Sequence, residues 1–155
     1  MIIRKAELKD VDAILNLLSQ VLEIHAKARP DIFQSGKTKF TKEELVEKIQ
    51  NEMIFVAEED GKVIAHLFLE LQSTENNNNM KPLKILYIDD ICVDQNYTNG
   101  GVGSKLFDFV KEKAKELGCY EITLHLWEGN ETAEKFYAKQ GMKIKSKTLE
   151  YIINN

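Results

Sequence analysis

The sequence predicts an α/β domain, a mixed sheet covered by helices, and three observations predict it. Apolar runs of strand length alternate with segments whose apolar residues recur every 3.6 residues. Asp60-Gly61, a strong hairpin signal, separates two of the strand runs. A third run, Ile85 to Val93, passes through a polar turn and a glycine cluster directly into an amphipathic helix. The element order, β-α-α-β-β and then β-α-β-α-β-β, suits a sheet layered with helices. At 155 residues the chain is read as one domain, 1–155, long enough to bury an ordinary core.

Met1 to Lys5 reads as a short first strand. A helix follows, with Asp10 and Asp12 in its acidic first turn and Val11, Ile14, Leu15, Leu18, Val21 and Leu22 on one face. His25 extends that face by a turn, and Ala28-Arg29-Pro30 ends the helix, because a residue before proline is pushed out of the α region. Asp31 to Lys39 is a loop containing Phe33 and Gly36. Thr41 and Glu44 have capping-box spacing for a second helix that turns Leu45, Val46 and Ile49 inward. Ile54–Glu58 and Lys62–Leu71 are the hairpin strands, and Ser73 to Lys81, with its run of asparagines, is a polar surface loop. After the central strand and helix, Tyr120 to Trp127 is expected to be another strand. Asn130 opens a short helix with Ala133, Phe136 and Tyr137 inward, ending at Gly141. Met142–Lys145 and Thr148–Ile153 are expected to close the fold as a hairpin.

The chain is organised around the stretch from Lys84 to Gly118. Its glycine cluster, Thr98-Asn99-Gly100-Gly101-Val102-Gly103-Ser104, opens a helix with Val102, Leu106, Phe109, Val110, Ala114 and Leu117 on one stripe. Free backbone N–H groups and the helix dipole together favour an anion at such an N-terminus. Three phosphate-binding loops compete for it. The P-loop of NTPases needs a glycine five residues before Gly-Lys-Ser/Thr, and none is present. The dinucleotide fingerprint needs a third glycine where Leu106 stands, and it belongs near the start of a βαβ unit.

The third resembles the core motif of the GNAT N-acetyltransferase family, Arg/Gln-x-x-Gly-x-Gly/Ala after a strand ending in Val. Gly101-Val102-Gly103 matches its glycines, and Val93-Asp94-Gln95-Asn96-Tyr97 its approach segment. Thr98 replaces the usual Arg or Gln, and Asn99 a frequent glycine. A second motif, Asn130-Glu131-Thr132-Ala133, Phe136-Tyr137 and Gly141-Met142, resembles the family's Asn-x-x-Ala-x-x-Phe-Tyr-x-x-x-Gly-Phe, with Met142 for Phe. The resemblance covers nearly the whole chain. It implies a mostly antiparallel central sheet flanked by helices and transfer of an acetyl group from acetyl-CoA to an amine.

Such a transfer makes four demands. The CoA pyrophosphate must be held, which falls to residues 98–104, including Thr98, Asn99, Gly100, Gly101, Val102, Gly103 and Ser104. A backbone N–H must polarise the acyl carbonyl, and the resemblance points to Ile91, Cys92 and Val93. The departing thiolate needs a proton or hydrogen bond, for which Tyr137 is the candidate. The amine must lose a proton. Adjacent strand residues point to opposite faces, so at least one of Asp89 and Asp90 is expected to be covered and must be paired or useful. The resemblance, in which an acidic residue often stands four before the Val, makes Asp89 the first candidate base and Asp90 the second. Asn130 is a helix cap that can also touch the cofactor. His25, Arg29 and Phe33 fall where the family borders its acceptor pocket. His66 and His125 read as structural or surface residues, and Cys92 as a core thiol rather than a nucleophile.

The net charge of −4 argues against a nucleic-acid surface. Two cysteines make a disulfide framework improbable, and no Cys/His cluster has metal-ligand spacing, so no metal is expected. With no signal pattern or long apolar run, a cytoplasmic protein without membrane contact is expected. The expected partner is an amine-bearing small molecule or peptide, and a homodimer is compatible with the sequence. The competing reading is a non-catalytic acyl-CoA sensor or interaction domain on the same fold.

Overall fold

The computed structural model describes residues 1–154. Its elements run β1 (Ile2–Lys5), α1 (Val11–Ala28), α2 (Lys42–Asn51), β2 (Met53–Glu59), β3 (Lys62–Ser73), β4 (Lys84–Val93), α3 (Val102–Glu116), β5 (Glu121–Leu124) and α4 (Glu131–Lys139). The strands form one sheet in the order β1-β2-β3-β4-β5. The first three pairings are antiparallel, and β4 with β5 is parallel. A parallel neighbour requires a crossover, and α3 provides it.

Each face of the sheet buries its own core. On one face Ala65, Leu67, Leu69, Leu86 and Ile88 pack against Val102, Leu106, Phe107, Val110 and Ala114 of α3. On the other Ile54, Val56 and Phe68 pack against Ile14 and Leu18 of α1 and Leu45 and Ile49 of α2. The period-2 alternation of β2 to β4 divides these residues between the faces, and each buried Leu, Ile or Phe contributes roughly 1.5–3 kcal/mol. α2 begins on the expected capping box. Thr41 Oγ1 accepts from Glu44 N at 3.1 Å while Glu44 Oε1 accepts from Thr41 N at 3.0 Å. The asparagine-rich loop is anchored from within by Thr74, whose buried hydroxyl donates to Lys81 O at 2.5 Å and accepts from Leu83 N at 2.8 Å.

Two expectations need correction. The strand expected over Tyr120–Trp127 is only Glu121–Leu124, because the chain leaves the sheet at His125. The expected hairpin of Met142–Lys145 and Thr148–Ile153 does not form; the chain there has no regular secondary structure, and Ile144, Leu149 and Tyr151 are exposed. Ser146-Lys147 offers no glycine, asparagine or aspartate for the left-handed conformation that a two-residue hairpin turn requires. The segment is held instead by side chains, with Lys145 paired to Glu121 and Glu150 to Arg29. Among the described residues no helix is long and apolar enough to cross a membrane.

Candidate active site

β4 and β5 share a ladder only from Ile85–Glu121 to Ile88–Leu124. β5 then ends, while β4 runs on to Val93. The edge of β4 turned away from β3 is therefore open over residues 89–93. Strand amides alternate between the two edges, so some N–H groups of this stretch face the opening. That is where Ile91, Cys92 and Val93 were expected to serve a carbonyl.

At one end of the opening lies the glycine loop. Asp94, buried, turns the chain by accepting from Asn96 N at 2.9 Å. Gly101 caps α3 in the left-handed region at φ 75°, which glycine alone adopts without strain. The bond from Lys105 N to Gly101 O, 3.2 Å, is the first of the helix, so the amides of Val102, Gly103 and Ser104 have no intrahelical acceptor. The first turn carries no acidic residue to oppose the dipole. Beside it a surface depression of about 290 Å³ is lined by Gln95 to Gly100, Val102, Lys105, Met1 and Glu59. These groups suit a pyrophosphate. At Gly103 a Cβ would lie 3.1 Å from Phe136 Cε1, so the bareness of this residue admits α4. At Gly100 and Gly101 the same position is open or in ordinary contact.

The two aspartates are separated by a bulge. Phe68 pairs with Asp90 but Leu69 with Ile88, which leaves Asp89 as the extra residue. Asp89 is re-aimed toward the α1–α2 loop, where Lys39 Nζ lies 3.3 Å from Oδ1 and donates to the Asp89 carbonyl at 3.0 Å. Asp90 is buried on the face it shares with His66 and Cys92. Its Oδ2 lies 2.5 Å from His66 Nε2, and the His66 side chain is 0% exposed against 8% for Asp90. A separation so short requires a hydrogen between the two atoms. His66 Nδ1 has no partner among the described residues. A buried bare acceptor costs less than a buried N–H without one, so the proton resides on Nε2 and is donated to the carboxylate. The pair reaches solvent only through Asp90.

Tyr137 projects from α4, its ring 5.1 Å from that of Phe136. Burial, with the Asp90 charge in addition, pushes its phenol up to about 12. Burial also pushes the Cys92 thiol up to about 12, which leaves it inert as a nucleophile. Asn130 caps α4 by accepting from Ala133 N at 3.2 Å.

Three rings pack together where His25 feels the Asp90 charge. Phe33 of the α1–α2 loop packs 5.0 Å from His25 of α1 and 5.0 Å, edge to face, from Trp127 beyond β5. Burial holds the His25 imidazole below its ordinary range despite the pull of Asp90. Arg29 does not offer a free guanidinium, since Asp31 and Glu150 both bind it.

The model of the acetyltransferase (GNAT) family matches residues 18–142. The chain belongs to this family. An uncharacterized N-acetyltransferase of Bacillus subtilis (strain 168), YhfO, is 29% identical over 99% of this chain and 97% of its own length. The BH1408 protein of Bacillus halodurans, solved as a mutant, superposes with a TM-score of 0.94 at 30% identity, covering 99% of this chain and all of that one. Glucosamine-6-phosphate N-acetyltransferase of Arabidopsis thaliana has a TM-score of 0.70 at 25% identity, with 99% and 98% covered. An N-acetyltransferase of Lactobacillus delbrueckii subsp. lactis is 34% identical over 83 residues, and the match spans about half of its length, 47%.

In this GNAT N-acetyltransferase the fold brings most of the sequence candidates to one opening. The glycine loop, residues 89–93, Tyr137, His25 and Phe33 gather there, whereas Asn130 acts as a cap and Arg29 is neutralised. Sequence reasoning missed His66, Trp127 and Lys39. For His66 one signal existed: it is the only polar residue of the run from Val63 to Leu69, and a histidine so placed needs a partner. The Tyr87 hydroxyl bonded to His125 Nδ1 at 2.8 Å was also not legible, because the two residues meet only across the β4–β5 pairing.

Proposed function

We propose that the protein transfers an acetyl group directly from acetyl-CoA to a primary amine of a small molecule or peptide. The observation that carries this reading is the opening beside residues 89–93, with a helix N-terminus that no side chain caps at one end and Asp90 and Tyr137 beside it. Acetyl-CoA supplies an activated acyl group on a thiol leaving group. The chain's own residues hold it by the amides of α3 and by Lys105, and the open edge of β4 offers an N–H to the acyl oxygen.

An alkylammonium titrates near ~10.4, so it must lose a proton before it attacks. In this reading Asp90 attracts the ammonium and helps pass that proton to solvent through water, and His66 keeps the carboxylate in place. Asp89, tied to Lys39, is the lesser candidate. Tyr137 donates to the departing sulfur. A phenol near 12 does not surrender its proton to a thiolate whose acid titrates near ~8.5, so its contribution is a hydrogen bond to developing charge.

Thiol release from acetyl-CoA across a panel of amines tests the reading. Acceptor-dependent release is the expected result. CoA binding without release by any amine would favour the sensor reading instead.

A further inference from the structure

The rings and charges around the opening say what sort of amine fits, and this inference rests on the transferase reading above. We propose that the acceptor is a primary ammonium carried on an aromatic or other apolar body with no anionic group, its body seated against the His25–Phe33–Trp127 wall and its nitrogen directed to Asp90.

The wall is assembled from three separate parts of the chain, the end of α1, the α1–α2 loop and the segment after β5, with successive centroids 5.0 Å apart. Phe33 sits between the other two rings, and Trp127, 37% exposed, forms the outer end. Rings at such an entrance bind flat apolar bodies, and their faces attract cations. Asp90, whose charge acts on His25 of this wall, is buried and held by His66. His25, uncharged at neutral pH, does not repel an incoming cation.

The cations nearby are already engaged. The Nε and Nη2 atoms of Arg29 donate to Asp31 at 2.9 Å each, and Nη1 and Nη2 donate to Glu150 at 2.6 and 3.3 Å. Every nitrogen of the guanidinium thus has a carboxylate partner. Lys39 is occupied by Asp89. The carboxylates Asp31, Glu150, Asp89 and Asp90 outnumber the two cations, so the mouth attracts an ammonium. A phosphoryl group would have to displace Asp31 or Glu150 and meet the remaining one. This site therefore departs from one made for a phosphorylated amino sugar, the substrate for which the Arabidopsis relative is named.

Trp127 is the chain's single tryptophan, so its fluorescence reports occupancy of the wall without any need for turnover. The protein with CoA bound is titrated separately with phenethylamine and with glucosamine 6-phosphate. Phenethylamine should change the emission saturably and bind at least about tenfold more tightly, and Phe33→Ala should weaken it about tenfold without altering the Kd for CoA. Asp31→Asn combined with Glu150→Gln, both at exposed positions, should free Arg29 and narrow the gap by strengthening glucosamine 6-phosphate. No response to phenethylamine, equal or tighter binding of the sugar phosphate, or an unaffected Phe33→Ala would overturn the proposal. Thiol release is measured in parallel, with the same amines and acetyl-CoA in place of CoA. Binding as expected with no release would sink the transferase reading while leaving the acceptor pocket standing.

Discussion

His66 and Asp90 are 24 residues apart in sequence and 2.5 Å apart in space. Removing either member leaves a buried polar group without its partner, a loss of about 1–3 kcal/mol or more. Asp90→Asn is nearly isosteric and keeps a hydrogen-bonding oxygen toward Nε2, so the fold should persist while turnover falls and partly recovers at high pH. Asp89→Asn, which loses only an exposed pair with Lys39, should leave the pH–rate profile nearly unchanged. The reverse pattern would move the base to Asp89. Tyr137→Phe keeps the ring and removes one hydrogen bond to developing negative charge. Such a bond is worth about 1.5–3 kcal/mol, or roughly 10–100-fold in kcat. A drop much beyond ~10³-fold would mean that full proton transfer, not hydrogen bonding, is at stake.

At the scale of elements, the loop and the helix it opens respond to substitution in opposite ways. Gly100 has room for a side chain, whose Cβ would sit 3.6 Å from Tyr97 O, and its φ is not left-handed. Gly100→Glu should therefore fold normally and weaken CoA binding at least tenfold by setting a carboxylate beside the helix N-terminus. Gly103→Val drives a Cβ against Phe136, so it should lower Tm by loosening α4 from α3 before it says anything about the cofactor. Calorimetry for CoA and melting curves on both variants separate the effects, and a stable Gly103→Val protein would refute the packing role.

The same contrast explains what was legible in the chain. The capping box of Thr41 and Glu44, the hairpin at Asp60-Gly61 and the glycine entry to α3 are local, with partners a few residues away, and each stands where its residues indicate. The pairing of His66 with Asp90 depends on strand register and on the bulge, which no local pattern encodes. The closing hairpin expected over Met142–Lys145 and Thr148–Ile153 has no turn residue between its arms, so nothing local fixes it.

For the whole molecule, burial of Cys92 and Tyr137 ties stability to alkaline pH. The thiol ordinarily titrates at 9.0 and the phenol at 10.0, and both are held near 12 in the fold. The unfolded chain loses these protons first, so it binds fewer protons than the native state, and stability falls as pH rises. The loss should begin near 9 for Cys92, near 10 for Tyr137, and continue to about 12. Melting temperatures taken at about pH 8 and about pH 10.5 should drop more for the wild type than for Tyr137→Phe. Equal drops would show that the phenol is not held back by burial.

The strand order also governs assembly. Each strand lies beside its predecessor in the chain, from β1 to β5. Nothing must be inserted between strands already joined, so a chain emerging from the ribosome can add each new strand to the edge just completed. β5 is the last to join, and only the chain that follows it supplies Trp127 and Tyr137. A nascent chain released before β5 has a nearly finished sheet but neither the outer ring of the aromatic wall nor the phenol.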